Sequence, residues 1–204
     1  MSRGPVVAVA IVVAAVPAAV AQTATVSGMV RIPGTSPART VVYLAPHTAA
    51  VRAPSPDSVL IDQYELRFVP SIVVVQPGAT VLFRNSDPVM HNVFSPRGAG
   101  PGFNLGTYPQ GEARSHVFAE PGGHIVLCHV HPEMAVFVVV VETSYHTTVD
   151  DTGRFTIADV PAGHYTLRTW HWRRPGAEVA IELRPGERRT LEIHVDSRAR
   201  GDRP

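Results

Sequence analysis

The stretch LCHVHPEM, Leu127 to Met134, brings together the chain's one cysteine, two histidines and a methionine. A thiolate, an imidazole and a thioether gathered by one short loop form a soft donor set. Sulfur donors favour Cu(I), and imidazole serves Cu(II) as well, so copper is the metal this set suits. HIVLC reads as a strand ending on Cys128, and the apolar run resumes at Met134, which makes HVHPE a tight loop with candidate ligands Cys128, His131 and Met134. A site of two histidines, one cysteine and a weakly bound methionine needs a further imidazole, and His91 in ATVLFRNSDPVMHNVFSP is the candidate. Zinc is the metallic rival, but structural zinc sites are built from Cys, His and carboxylates and have no use for Met134. A single cysteine cannot close a disulfide within the chain, so Cys128 is a packed thiol, a reactive thiol or a metal ligand. His129 raises the question of a competing ligand. In an extended segment it points away from whatever Cys128 holds.

The elements that must position these residues read as strands. Turn signals recur at short intervals: Gln76-Pro77-Gly78, Glu120-Pro121-Gly122-Gly123, Asp151-Thr152-Gly153, Pro161-Ala162-Gly163, Pro175-Gly176 and Pro185-Gly186. Between them lie β-branched runs such as SIVVVQ, TVLFRN, HIVLC, RFTIADV, YTLRTW, EVAIEL and TLEIHV, and no window sustains a helical period. The fold class is therefore all-β, built from sandwiches. The unbroken apolar tract Ala135 to Val141 predicts a fully buried strand. Ala45 to Asp57 is rich in proline and alanine and reads as a linker. In TWHWRR, Trp170 and Trp172 fall on one face of a strand and His171 on the other. Packing between two sandwiches is the use expected for the two indoles, since Trp is mostly buried.

Beyond these patterns, ELRFVPSIVVVQPGATVLFRNSDPVMHNVFSP followed by HIVLCHVHPEM resembles the cupredoxins, the small blue copper electron carriers. The shared features are Pro-Gly before the strand, N-x-D before the first His, His-Asn together, and C-x2-H-x2-M with a short loop of the amicyanin type. With GRFTIADVPAGHYTLRTWH, the order is similar to periplasmic plastocyanin-like proteins of the methylamine utilisation type. The resemblance implies a Greek-key sandwich and one mononuclear type 1 copper site with ligands His91, Cys128, His131 and Met134. It implies that Asn92 ties the two ligand loops together by hydrogen bonding and donates its backbone N–H to the sulfur. ATVSGMVRIPGTSPARTVVYL and TTVDDTGRFTIADVPAGHYTLRTWHWRRPGAEVAIELRPGERRTLEIHV resemble two parts of one carboxypeptidase regulatory-like, transthyretin-like sandwich. The expected organisation is a leader over 1–21, the first part of that sandwich over 22–46, an inserted cupredoxin unit over 57–143, its second part over 144–196, and a disordered tail over 197–204.

The leader reading rests on Arg3, the apolar run Pro5 to Val20 and the small-x-small ending Ala19-Val20-Ala21, the pattern of a cleaved secretory signal. Its apolar run falls short of the roughly 20 residues a bilayer span needs, so no membrane span is expected after cleavage, and the location is periplasmic or secreted. Eighteen basic residues, all arginine, face 17 acidic ones. A balance so near neutral argues against nucleic acid as the partner. The leading expectation is a monomeric single-electron carrier for a redox partner protein, with no substrate bond made or broken and hence no enzyme. Copper handling or sensing is the alternative within metal chemistry, and an adhesion or scaffold role the alternative outside it. The approach to His131 is expected to be apolar, through Pro88, Val89, Met90, Pro132 and Ala135, with Asp87 and Glu133 as charges at its rim.

Overall fold

The computed structural model describes residues 22–47, 58–98 and 100–195. The leader, most of the 45–57 linker and the tail lie outside the described residues. Among those described, the chain forms strands and no helix. In chain order the first are β1 (Ala24–Arg31), β2 (Thr40–Pro46), β3 (Val59–Tyr64), β4 (Arg67–Val69), β5 (Ile72–Val75) and β6 (Ala79–Asn85). Next come β7 (His91–Ser95), β8 (Phe103–Tyr108), β9 (Ala113–Phe118), β10 (Gly122–Leu127) and β11 (Ala135–Val140). The last are β12 (His146–Thr148), β13 (Arg154–Val160), β14 (Gly163–His171), β15 (Glu178–Leu183) and β16 (Arg188–His194). No helix among the described residues is long and apolar enough to cross a membrane.

The turns follow from the residues that make them. Gly78, at φ 87°, sits in the loop that closes with the Ala79 N–H on the Gln76 carbonyl at 3.1 Å, the Pro-Gly turn that launches β6. Asp150 folds the turn before β13. Its Oδ1 accepts the N–H of Thr152 and of Arg154, both at 2.8 Å, and the Thr152 hydroxyl at 2.7 Å, while Gly153 takes φ 94°.

Four sheets result, ordered β13-β1-β16, β12-β2-β14-β15, β5-β11-β10-β7-β8 and β4-β3-β6-β9. The first two enclose a core containing Val26, Leu44, Ile157, Leu167 and Ile193. Phe155, Val160 and Tyr165 also belong to it, and Val160, off the strict alternation of Phe155 and Ile157, is brought to that side by the left-handed backbone of Asp159 and a register shift against β1. The last two sheets enclose a second core around Ile61, Val81, Phe83, Val126 and Val138. Three ladders are parallel, β1 with β16, β3 with β6, and β5 with β11.

A third cluster joins the two sandwiches. Phe137, Val139 and Val141 meet Val41 and Trp170, with Ile72, Val74, Ile125 and Trp172 against them. Phe137 lies 5.5 Å from the Trp170 ring and 5.6 Å from that of Trp172. Both indoles therefore take the inter-sandwich role expected of them, and His171, on the other face, is fully buried. Gly123 permits the close approach, since a Cβ there would lie 2.3 Å from the Trp170 ring. The tract at Ala135 is buried on both sides as predicted. Val136, Val138 and Val140 enter one core, and Phe137, Val139 and Val141 enter the joining cluster.

Candidate metal centre

The loop from β6 into β7 is held by side chains of the N-x-D signature. Asn85 Oδ1 accepts the Asp87 N–H at 2.9 Å, while its Nδ2 donates to the Val89 carbonyl at 2.8 Å and the Tyr108 carbonyl at 3.1 Å. That asparagine turn delivers His91 to the first position of β7, where the side chain is fully buried. On the other side β10 ends at Leu127, paired with Phe94 of β7, and Cys128 follows at once. The Met134 N–H returns to the His131 carbonyl at 3.0 Å, so the loop is closed just before β11 begins.

His91, Cys128 and His131 thereby bring one donor atom each within 4.8 Å of one another. Cys128 Sγ is 3.8 Å from His91 Nδ1, and His131 Nδ1 is 3.0 Å from the same nitrogen. Cys128 and His91 are buried and His131 is half-buried, so the third donor faces the surface. Met134 is 1% exposed and shares the core cluster of Cys128. The Asn92 N–H donates to the sulfur at 3.4 Å. The Asn92 side chain does something other than bridge the two ligand loops. Its Nδ2 donates to Asn104 Oδ1 at 2.9 Å, which also accepts the Gly106 N–H at 2.8 Å, so it fastens β7 to β8.

His129 stays outside the donor group. It is exposed and stacks flat on Phe94, ring centroids 3.5 Å apart and 3° from parallel. Residues 129–130 form a bend directly after the end of β10, so His129 is not in a strand, and it lies against Phe94.

Asp87 departs from its expected place at the rim. It is 4% exposed, and its carboxylate accepts the Glu65 N–H at 2.6 Å, the Leu66 N–H at 2.9 Å and His91 Nε2–H at 2.8 Å. Burial pushes this carboxyl up, but the bonds from Leu66, His91 and Glu65 outweigh it and hold the group below its ordinary value. Behind the site Tyr108 is fully buried, and burial pushes its phenol up. Its hydroxyl donates to the Phe83 carbonyl at 3.0 Å and accepts from Gln63 Nε2 at 2.6 Å. Around His131, Pro88, Val89, Met90, Pro132 and Glu133 are exposed, whereas Ala135 is half-buried at the start of β11. Val130, 47% exposed in the ligand loop itself, and Leu66, 41% exposed in the turn bonded to Asp87, add apolar surface that the sequence reading missed.

No family model and no curated protein sequence matches this chain. Solved structures similar to about half of its length include amicyanins and a purple cupredoxin. Amicyanin from Paracoccus versutus (Thiobacillus versutus) is 24% identical with TM-score 0.39, covering 51% of this chain and 99% of that one. A purple cupredoxin from Nitrosopumilus maritimus is 28% identical with TM-score 0.37, covering 41% of this chain and 99% of that one. A Cu-containing nitrite reductase from Thermus scotoductus SA-01 is 25% identical with TM-score 0.41, covering 48% of this chain and only 25% of that one.

Proposed function

We propose that this protein is a type 1 copper protein that carries single electrons, with His91, Cys128, His131 and Met134 as ligands of one mononuclear site. The observation that carries the reading is the convergence of Cys128 Sγ and the Nδ1 atoms of His91 and His131, with the Asn92 N–H directed at the sulfur. One thiolate, two imidazoles and a buried thioether fit copper in both oxidation states better than they fit zinc. Held there, copper supplies a one-electron couple. The chain's own residues do the rest. Asn92 withdraws charge from the thiolate through its N–H, the buried ring of His91 excludes water, and half-buried His131 reaches towards the surface.

Pro88, Val89, Met90, Val130 and Pro132 give that surface an uncharged approach, and Glu133 sits beside it. A small apolar contact suits a brief encounter with a redox protein, the kind that buries less than about 1,200 Å². No substrate bond changes, so the protein acts as a carrier and not as an enzyme, exported to the periplasm or beyond. The strands between 59 and 140 pair only with one another in the described ladders, which supports a copper unit over 57–143 set within a sandwich formed by 22–46 and 144–196.

Addition of Cu(II) to the purified metal-free protein tests the proposal. It is expected to give a 1:1 complex with an intense visible band from thiolate-to-copper charge transfer, absent in Cys128→Ser. Tight binding with no such band overturns the type 1 assignment. Release of the metal to a modest Cu(I) chelator on reduction by ascorbate replaces the carrier with copper handling. Full biological function of Cys128→Ser leaves adhesion or scaffolding as the role.

A further inference from the structure

Among the described residues, four other than glycine take left-handed backbone: Arg39, Glu65, Leu66 and Asp159, with φ from 52° to 61°. Such backbone is costly for residues with large side chains, and it gathers where a ligand is clamped. Asp159 belongs to the register shift of β13 against β1. The other three surround a single hollow. Arg39 stands just ahead of β2, in a turn that the Thr40 hydroxyl closes on the Pro37 carbonyl at 2.5 Å. Glu65 and Leu66 form the two-residue loop between Tyr64 and Arg67, which pair across β3 and β4, so Arg67 leaves the strained turn directly.

The hollow has a volume of about 320 Å³ and is lined by Arg39, Arg67, Phe68, Ser71, Glu133 and Met134, with Leu66 and Ala135 beside them. Arg39 comes from one sandwich and the rest from the other, and the Arg39 guanidinium lies 5.9 Å from the ring of Phe137 in the cluster that joins the two. Phe68 and Met134 are buried and give the hollow an apolar floor. Arg31, Arg84, Arg114, Arg168 and Arg189 each have a carboxylate partner. Among the described residues Arg39 and Arg67 have none, and Glu133 pairs with neither of them. Two guanidinium groups that never lose their charge, against one carboxylate, leave the hollow positive. The planar fork of arginine matches a carboxylate better than it matches a spherical anion.

We propose that this hollow binds the anion of a small organic acid, with Arg39 and Arg67 on the carboxylate and Phe68 and Met134 against the carbon skeleton. Ligand pockets begin at about 300 Å³, so the acid is one of a few carbons. The Ser71 hydroxyl offers a further donor. Because Arg39 belongs to the other sandwich, the bound anion bridges the two units. The proposal stands on the chain itself and does not depend on the copper reading.

Sodium succinate titrated into the purified full-length protein, against sodium chloride at matched ionic strength, is expected to raise the thermal unfolding midpoint along a saturable curve, because a ligand held by the folded state stabilises it. In ¹H–¹⁵N NMR the Nε–H signals of Arg39 and Arg67 should move together over the same titration, while that of Arg188, on β16, stays in place. Arg39→Gln and Arg67→Gln should each weaken succinate binding by about tenfold or more, the worth of one charge-assisted hydrogen bond. Glu133→Gln should tighten it, since a like charge is removed. A midpoint that rises no more with succinate than with chloride overturns the proposal, as does undiminished binding in Arg67→Gln. Weaker binding in Glu133→Gln overturns it too, since the carboxylate would then be holding a cationic group. Should Arg39→Gln not fold, as judged by circular dichroism, Arg67→Gln, altered at an exposed position, still decides.

Discussion

Two apolar surfaces lie on the unit that carries Cys128, and they are treated in opposite ways. The outer face of the β5-β11-β10 region presents Ile72, Val74, Ile125, Phe137 and Val139, and the other sandwich covers it with Val41, Tyr43, Trp170 and Trp172. The loops around His131 present Val89, Met90, Val130 and Leu66, each more than 40% exposed, and none of them belongs to a core cluster. The covered face is a pleated sheet whose residues point the same way at every second position, so a second layer can bury all of them at once. The open one is made of loop tips from separate segments, which suits a transient contact and not a permanent layer. A patch of the first kind stabilises the molecule, and a patch of the second kind stays open to solvent.

Removal of the cover is the largest perturbation. The segment 57–143 expressed alone keeps every ladder of its two sheets but bares Phe137, Val139, Ile72, Val74 and Ile125. Self-association or insolubility is expected, read by size-exclusion chromatography beside the full chain. A monomeric, copper-binding fragment would mean that the joining cluster contributes little. Within the full chain, Trp170→Ala leaves a cavity over Gly123 and beside Phe137, and roughly 3–5 kcal/mol of stability should be lost in urea unfolding. A loss below about 1 kcal/mol, the range of ordinary surface changes, would make the cover incidental.

At the open surface the same kind of residue should behave in the reverse manner. Met90→Glu, at a position 52% exposed, is expected to shift stability by less than about 0.5 kcal/mol. It should leave the visible band in place and slow electron exchange with a redox partner by about tenfold, a steering effect that depends on salt. Equal exchange rates would place the docking surface elsewhere.

The smallest effect belongs to a polar pair on the other sheet of the unit. Burial pushes the Asp62 carboxyl up, but bonds from Arg84 at 2.5 Å and Ser86 at 2.9 Å outweigh it and hold the group below its ordinary value. A carboxyl depressed in the folded state adds stability above its unfolded pKa and loses it as the pH falls through the folded one. Arg84→Gln should therefore show a small deficit near neutrality that shrinks below about pH 4. Urea midpoints at the two pH values test this, and a deficit independent of pH would assign the effect to packing.

The sequence was informative wherever the chemistry is local. Cys128, His131 and Met134 lie in one loop, so their spacing alone brings them near one another. His91 was the further imidazole this donor set needed, and the N-x-D pattern before it belongs to Asn85 and Asp87. In the runs RFTIADV and YTLRTW, Phe155 and Ile157 alternate, as do Tyr165 and Leu167, and all four are in one core. Asp87 was misread because its burial depends on the N–H groups of Glu65 and Leu66, more than twenty positions earlier and on another hairpin. Val130 and Leu66 were missed because exposure of an apolar residue is a property of its surroundings. Phe94 as the resting place of His129 had no signal, since the stacked pair joins β7 to a bend far along the chain.

By itself, then, the amino-acid sequence determined the donor types, their approximate meeting point and the all-β class. Donor chemistry and strand period are written in neighbouring residues. It also determined that the run at Ala135 is buried on both faces, because a tract of β-branched and aromatic residues with no polar alternation has no side to give to water. Only the tertiary structure decided what lies against each face, which imidazole nitrogen meets the sulfur, and that a loop aspartate is withdrawn from solvent. A buried charge is tolerable only where donors converge on it, and a covered face exists only where a second layer arrives. Both depend on segments brought together by long-range strand pairing, which no window of sequence contains.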